Sequence, residues 1–309
     1  MIPRRMQAKV QELAIITMLV VLLWMKNAHG TEWDCTGAKN TGTFQRSTDC
    51  TISGTSTDTG GGVVVSNTLE IAGTVEDMNN LIVITAASKQ RHFYVNGVNN
   101  KLVLRYVKLT GGFISSYGNF PDRYGGSICI YTSGGTLQLY ASILANNKAN
   151  NYNYGNGYGG AIYANGDQTN INAIIIQIHQ TIINNNEASN AAGMYLQYST
   201  CTMVNSTVSG NSLTGAGAGA GMYILDSSVV IRRSVISRNT AQYGAKGGGL
   251  YMTSYSKTIS TTVEVRESTV SQNQAKYGNE IYTWGAPTIS IVNTLFNQPV
   301  DSNNNFQKW

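Results

Sequence analysis

Proline is nearly missing from these 309 residues, with 4 in all, and charged side chains make up only 12%, about half the usual share of roughly 25%. Histidine numbers 3 and phenylalanine 6, although tyrosine reaches 18. So little charge beside a hydrophobic fraction of 42% excludes an ordinary disordered chain, which needs the opposite balance. The shortage of Lys, Glu and Ala-Leu patterning excludes a helical bundle or coiled coil. With so few histidines and no cysteine pair at zinc-ligand spacing, no metal site is expected, nor any other cofactor. The space is filled by Gly, at 33 residues, and by Ser, Thr, Asn, Val, Ile and Tyr, the vocabulary of strands and tight turns. The chain reads as all-β.

A formal charge of +5 suggests an anionic partner until the charges are located. Arg4, Arg5 and Lys9 precede a mostly apolar run from Ala14 to Met25, which is followed by Lys26, Asn27, Ala28, His29 and Gly30. A basic start, a short apolar core and a small-residue ending describe a secretory signal peptide over residues 1–30. The run is shorter than the roughly 20 residues a bilayer core needs, and a retained anchor is the alternative. Four of the 21 basic residues and one of the 16 acidic ones lie in this leader, which leaves 17 against 15. No other stretch approaches spanning length, and no Lys/Arg cluster points to nucleic acid. The expected location is extracellular or at the cell surface.

Secretion decides how the four cysteines are read. Cys35 and Cys50 sit close together after the leader, and a disulfide between them would tie down an N-terminal cap. Cys129 and Cys201 lie in separate strand-like segments and read as buried free thiols.

Repeats organise the rest. Gly159-Gly160-Ala161-Ile162-Tyr163 recurs as Ala191 to Tyr195, Gly219 to Tyr223, Gly247 to Tyr251 and, degenerate, Gly278 to Tyr282; an earlier copy, Gly125 to Cys129, has Cys in the tyrosine place. A second motif alternates with it. It runs Ser or Thr, any residue, an aliphatic, two of any kind, Asn, any, then a small or apolar residue. Its copies begin at Ser142, Thr181, Ser206, Ser234 and Ser268. A period near 30 with alternating strand segments, glycine turns and no helical pattern fits one coil of a parallel β-helix. A propeller blade would want about 40–50 residues. Residues 31–309 are therefore expected to form one right-handed parallel β-helix of about nine coils, clearest over 125–297. Asn146 to Gly160 reads as a longer loop between coils, and the tail Asp301 to Trp309 as the second cap.

Stacked coils turn each motif position into a column. Ile128, Ile162, Met194, Met222, Leu250 and Ile281 are expected inside. The next column, Cys129, Tyr163, Tyr195, Tyr223, Tyr251 and Tyr282, alternates outward. Asn147, Asn186, Asn211, Asn239 and Asn273 are expected to stack at a corner, where Asn tolerates left-handed backbone and its amide bonds the next coil.

Val208-Ser209-Gly210-Asn211 followed by Gly219 to Tyr223, and Ile236 to Ala241 followed by Gly247 to Tyr251, resemble the paired repeats of polymorphic outer membrane proteins. That family joins an F-x-x-N element to a G-G-A-I element, and Gly159 to Ile162 is the best single match. The first position departs, being Leu, Ile or Val here, and no C-terminal membrane barrel is expected. The resemblance implies a right-handed, pectin-lyase-like β-helix at a cell surface, used in adhesion or as wall-associated structure.

Folds of this class also carry polysaccharide lyases and hydrolases, so catalysis needs a site of its own. A glycosidase needs two carboxylates roughly 5–9.5 Å apart. The charged outward columns gather Arg232, Arg233, Arg266, Glu264 and Glu267, of mixed sign, with Arg233–Glu267 pairing expected between coils. This reads as a solvated ion-pair face. Asp122, Asp167 and Asp226 fall near turns in different columns. No catalytic residue is assigned, and a carbohydrate-active lyase or hydrolase is the alternative reading. The tyrosine column (Tyr163, Tyr195, Tyr223, Tyr251, Tyr282), with Trp284 beyond it, is either a stabilising ladder or an exposed platform for sugar rings. Asn205-Ser206-Thr207 is an N-glycosylation sequon, which predicts an exposed Asn205. The sequence thus favours a secreted non-catalytic structural or adhesive module whose partner is a polysaccharide or cell-surface glycan.

Overall fold

The computed structural model describes residues 31–52, 61–114, 124–131, 134–149, 157–169, 174–256, 258–297 and 306–308. These residues form strands and no helix, and all their strand pairings are parallel. They assemble into sheets of ten, nine, six and nine strands. One coil visits the sheets in turn as Ser199–Val204, Thr207–Ser209, Ser212–Leu213 and Met222–Leu225. The next repeats the path from Ser228–Arg232 to Leu250–Thr253. The architecture is a parallel β-helix of nine coils, about 40 Å long at roughly 4.8 Å per coil. Each return to the same sheet is a β-crossover-β unit, for which strand twist sets the right-handed sense.

Strand alternation builds the core. The expected aliphatic column is in register from Ile128 through Ile162, Met194, Met222 and Leu250 to Ile281, and none of its members is exposed. The same column continues upstream through Phe93 and Val63, so the weakly repetitive N-terminal third belongs to the same solenoid. Cys201 points inward among the aliphatic residues of the first sheet, and burial pushes its thiol up to about 12. Cys129 is likewise buried and takes no part in the disulfide.

Two corners turn on left-handed residues. Between the first and second sheets stand Tyr106, Ala141, Gln180, Asn205, Arg233, Glu267 and Asn293, with φ between 43° and 54°. Such a residue costs about 1–2 kcal/mol without a compensating lock. After every one of these but Tyr106, which Val107 follows, a Ser or Thr comes next and supplies the lock. The Thr181, Ser206 and Ser234 backbone amides donate at 3.1 Å to the hydroxyls of Ser206, Ser234 and Ser268 in the next coil.

The second corner carries the asparagine ladder, whose members are at most 1% exposed. Each amide Nδ2 donates to Oδ1 of the next coil, from Asn147 to Asn186 at 3.0 Å and onward to Asn211, Asn239 and Asn273 at 2.8–2.9 Å. Its second hydrogen goes back to a carbonyl of the preceding coil, such as Ile183 for Asn211 at 3.1 Å. The left-handed conformation expected of these asparagines falls instead one residue earlier, on Asn146, Asn185, Gly210, Arg238 and Gln272. The bend precedes the ladder residue because the asparagine must point inward to reach its neighbours. Asn147 and the strand Lys148–Ala149 also shorten the loop expected from Asn146 to Gly160.

The ladder ends in two different residues of one inner column. That column runs His92, Ser127, Ala161, Gly193, Gly221, Gly249, Glu280, one position before the aliphatic stack. Where the ladder is filled, it must stay small, since a Cβ on Gly221 would lie 3.0 Å from Asn239 Nδ2. Beyond the last asparagine, buried Glu280 accepts from Asn273 Nδ2, and from the Asn273 backbone at 3.4 Å. Before the first, Gly112 stands in the ladder place, because any Cβ there would meet the Gly126 carbonyl at 2.1 Å. His92 Nε2 takes over that missing bond, donating to the Ile84 and Thr110 carbonyls at 3.0 Å each, while Nδ1 accepts from Ser127 Oγ at 3.0 Å. Carbonyls only accept, which fixes the neutral Nε2–H tautomer. Burial pulls the His92 pKa down to about 4.

The two ends of the solenoid differ. Cys35 and Cys50 are bonded, and Trp33 is fully buried, its indole donating to the Lys39 carbonyl at 3.0 Å. At the far end Leu295 is 59% exposed and Phe296 36%. Of the expected C-terminal cap, Phe306–Lys308 pairs with Ile281–Thr283; residues 301–305 and 309 lie outside the described residues.

Candidate functional site

The outward tyrosine column is in register as the motif implies, from Cys129 through Tyr163, Tyr195, Tyr223 and Tyr251 to Tyr282. Its rings stack on one another along the solenoid axis. Centroids lie 5.1 Å apart for Tyr163–Tyr195, 5.0 Å for Tyr195–Tyr223, 4.7 Å for Tyr223–Tyr251 and 5.5 Å for Tyr251–Tyr282. Tyr124 extends the stack onto Tyr163 at 4.5 Å.

An exposed platform is not what results. Tyr163, Tyr195, Tyr251 and Tyr282 are buried and Tyr223 is half-buried. Their faces are occupied by each other, and their edges are covered by a second layer. Tyr158 meets Tyr195 edge-on at 5.1 Å, and the Lys246 ammonium lies 5.2 Å from the Tyr282 centroid. Tyr124 and Tyr158 are held there by isolated parallel bridges that continue to Asn190. The hydroxyls find partners two residues along the strand: Tyr195 donates to Gln197 at 2.9 Å, and Tyr163 accepts from Asn165 at 3.2 Å. Burial, reinforced by neighbouring phenols, raises the pKa of Tyr163, Tyr195, Tyr223 and Tyr251. The ladder is neutral and packed, and no sugar ring can enter it without displacing a tyrosine.

Trp284 stands apart. It is 42% exposed and packs edge-on against Tyr255, itself 56% exposed, with centroids 4.9 Å apart. Tyr255 opens the loop after Leu250–Thr253. That loop is fastened by Asp226, a fully buried carboxylate on a left-handed residue (φ 44°). Asp226 Oδ1 accepts from the Tyr255 amide at 2.9 Å, the Ser256 amide at 3.1 Å and the Ser254 hydroxyl at 3.2 Å. The loop is thereby drawn back over the preceding coil. Three coils earlier, a second loop leaves the same corner at Gly166–Thr169. There Asp167 Oδ1 accepts from the Thr169 amide and hydroxyl, both at 2.8 Å.

Between these loops two coils turn tightly, at Tyr198 (φ 49°) and Asp226 (φ 44°). The result is a groove of about 540 Å3 lined by Gln168, Thr169, Ser256, Thr258 and Ile259. None of these residues is charged; Lys257, between Ser256 and Thr258, lies outside the described residues. Sequence reasoning singled out Trp284 but missed Tyr255 and the groove, since neither loop belongs to a repeated motif.

On the first sheet, Arg105 lies 4.1 Å from the Tyr140 centroid, and Tyr140 stacks on His179 at 5.3 Å. Arg105 also pairs with Glu70 at 2.8 Å. The mixed-charge patch differs from expectation: Glu264 takes both Arg232, at 3.2 Å, and Arg266, at 2.5 Å. Arg233 and Glu267 serve instead as left-handed corner residues. Asn205 is another of these corner residues, and it is exposed as the sequon requires. Among the described residues no three His, Cys, Asp or Glu side chains gather as metal ligands, and Asp122 lies outside them.

No family model matches this chain, and no curated protein or solved structure does.

Proposed function

We propose that this protein is a secreted, non-catalytic β-helix that works as a structural or adhesive module outside the cell and contacts polysaccharide. One observation carries the reading: the groups that carbohydrate chemistry would use are committed to holding the coils. The asparagines bond one another across five coils. Glu264 is held by two arginines, Glu70 by Arg105 and Glu187 by Lys148. Asp226 is spent on its loop. A general acid or nucleophile needs a carboxyl free to face substrate, and these carboxylates face their own partners. The Cys35–Cys50 disulfide supports an oxidising compartment, and the leader-like residues 1–30 support secretion.

The test is incubation with a panel of insoluble and soluble polysaccharides, measuring both retention of protein and release of product. Retention without new reducing ends or unsaturated products is expected. Turnover at any appreciable rate sinks the non-catalytic reading in favour of a lyase or hydrolase.

A further inference from the structure

We infer that the outward tyrosine ladder is a radical relay: a one-electron oxidant takes an electron from half-buried Tyr223, and the phenoxyl radical formed there passes to Tyr195 and Tyr251 and is held inside the stack. Residue type comes first. After thiols, phenol and indole rings are the side chains that yield an electron most readily, and an oxidised phenol sheds its hydroxyl proton at once.

Geometry decides between local damage and transfer. An electron crosses between rings at a rate that falls steeply with their separation, and here each ring lies against the next. Centroids are spaced at 4.7–5.5 Å from Tyr163 through Tyr195, Tyr223 and Tyr251 to Tyr282, and Tyr124 continues the stack 4.5 Å beyond Tyr163. The planes of Tyr163 and Tyr195 differ by 12° and those of Tyr251 and Tyr282 by 6°, so the π faces overlap along the axis.

The electron and proton balance closes inside the stack. At Tyr223, the only one of the five ladder tyrosines that is not buried, the oxidant gains one electron and solvent takes the proton. Each later step exchanges like for like. Tyr251 gives an electron and its hydroxyl proton to the Tyr223 phenoxyl, so Tyr223 is a phenol again and Tyr251 is the radical. No second oxidant is consumed. The Tyr223 hydroxyl lies near enough to those of Tyr195 and Tyr251 for both to raise its pKa, a proximity that the proton also needs.

Burial then favours the inner rungs. A phenoxyl is neutral and, unlike a phenolate, loses little by leaving water. At Tyr195 and Tyr251, 7% and 6% exposed, it is shielded from dissolved reductants and from other radicals. Tyr158 covers the edge of Tyr195. Tyr140 on the first sheet is the contrast, since its ring lies against Arg105 and His179 rather than another phenol.

The experiment is flash photolysis of the whole protein with tris-bipyridine ruthenium and an irreversible cobalt(III) ammine acceptor, which together generate trivalent ruthenium as the oxidant. Phenoxyl absorbance is followed in the presence of ascorbate, with every variant held well below its thermal midpoint. Wild type should show a fast decay from surface phenoxyls and a slow one from the ladder. Tyr223→Phe removes the entry, and the double variant Tyr195→Phe/Tyr251→Phe removes both flanking hydroxyls while keeping the rings. Each should cut the slow amplitude severalfold, and Tyr140→Phe should leave it unchanged. A wild-type protein without a slow phase overturns the inference. So does a slow phase that keeps its full amplitude in both ladder variants, or one that Tyr140→Phe removes.

Discussion

The asparagine ladder and the tyrosine ladder thread the same coils, one inside a corner and the other outside the fourth sheet. Each asparagine rung is fixed by directional bonds, with two hydrogens donated and two accepted by Oδ1, as at Asn211. Each tyrosine rung is held by area and ring contact, at centroid spacings of 4.7–5.5 Å. The first kind of contact tolerates no change of register, since a slip of one residue would orphan buried polar atoms on both sides. The second tolerates variation, and the column shows it: Cys129 occupies a tyrosine place without breaking the sheet. Specificity comes from the inner ladder, and burial from the outer one.

Substitutions separate the two most clearly at adjacent rungs. Asn211→Ala removes the acceptor shared by the Asn186 backbone and side-chain amides, the donor to the Ile183 carbonyl and one of the two donors to the Asn239 oxygen, and should cost about 5 kcal/mol in urea unfolding. Tyr195→Ala removes one ring from the outer stack, leaving a cavity that neighbouring rings partly fill. About 4 kcal/mol is expected. If the tyrosine change proves the more damaging, the division between the ladders is wrong.

Acid should attack only the inner ladder, at its histidine end. Burial holds the His92 pKa at about 4 in the folded protein, below the ordinary imidazole value of about 6.5, so the unfolded chain takes up the proton first. Stability is complete above pH 6.5, falls as the pH drops toward 4, and levels off below, with about 3 kcal/mol lost in all. Comparing wild type with His92→Gln between pH 7 and 4 isolates this contribution from carboxylates; parallel curves would exclude it. Tyr195→Phe is the mildest test. It removes only the hydroxyl bonded to Gln197, and a loss of about 1 kcal/mol is expected.

Both ladders were legible because five coils repeat the same residue types at the same places. The burial of the tyrosines was not. It depends on Tyr124 and Tyr158, which come from segments without a motif and reach the ladder only through the fold. The left-handed corners were equally hidden. Ala141, Gln180, Arg233 and Glu267 share a conformation but no chemistry, since what fixes them is the Ser or Thr that follows. His92 and Glu280 occur once each, and a ladder's end has no period to betray it. Of the exposed pair Tyr255 and Trp284 only Trp284 was foreseen; the groove is lined from two loops three coils apart, a separation that means nothing until the coils are stacked.

The stacking has a mechanical consequence. Every coil touches only its two neighbours, so tension applied between the ends passes through each interface in series, and failure begins at the weakest one. Four consecutive interfaces carry bonds from one asparagine side chain to the next, aligned with the pull; among the described residues this ladder does not reach the interfaces nearer either end. A molecule tethered at one end and attached at the other should lose its terminal coils first, and keep its middle, where the groove lies, intact longest.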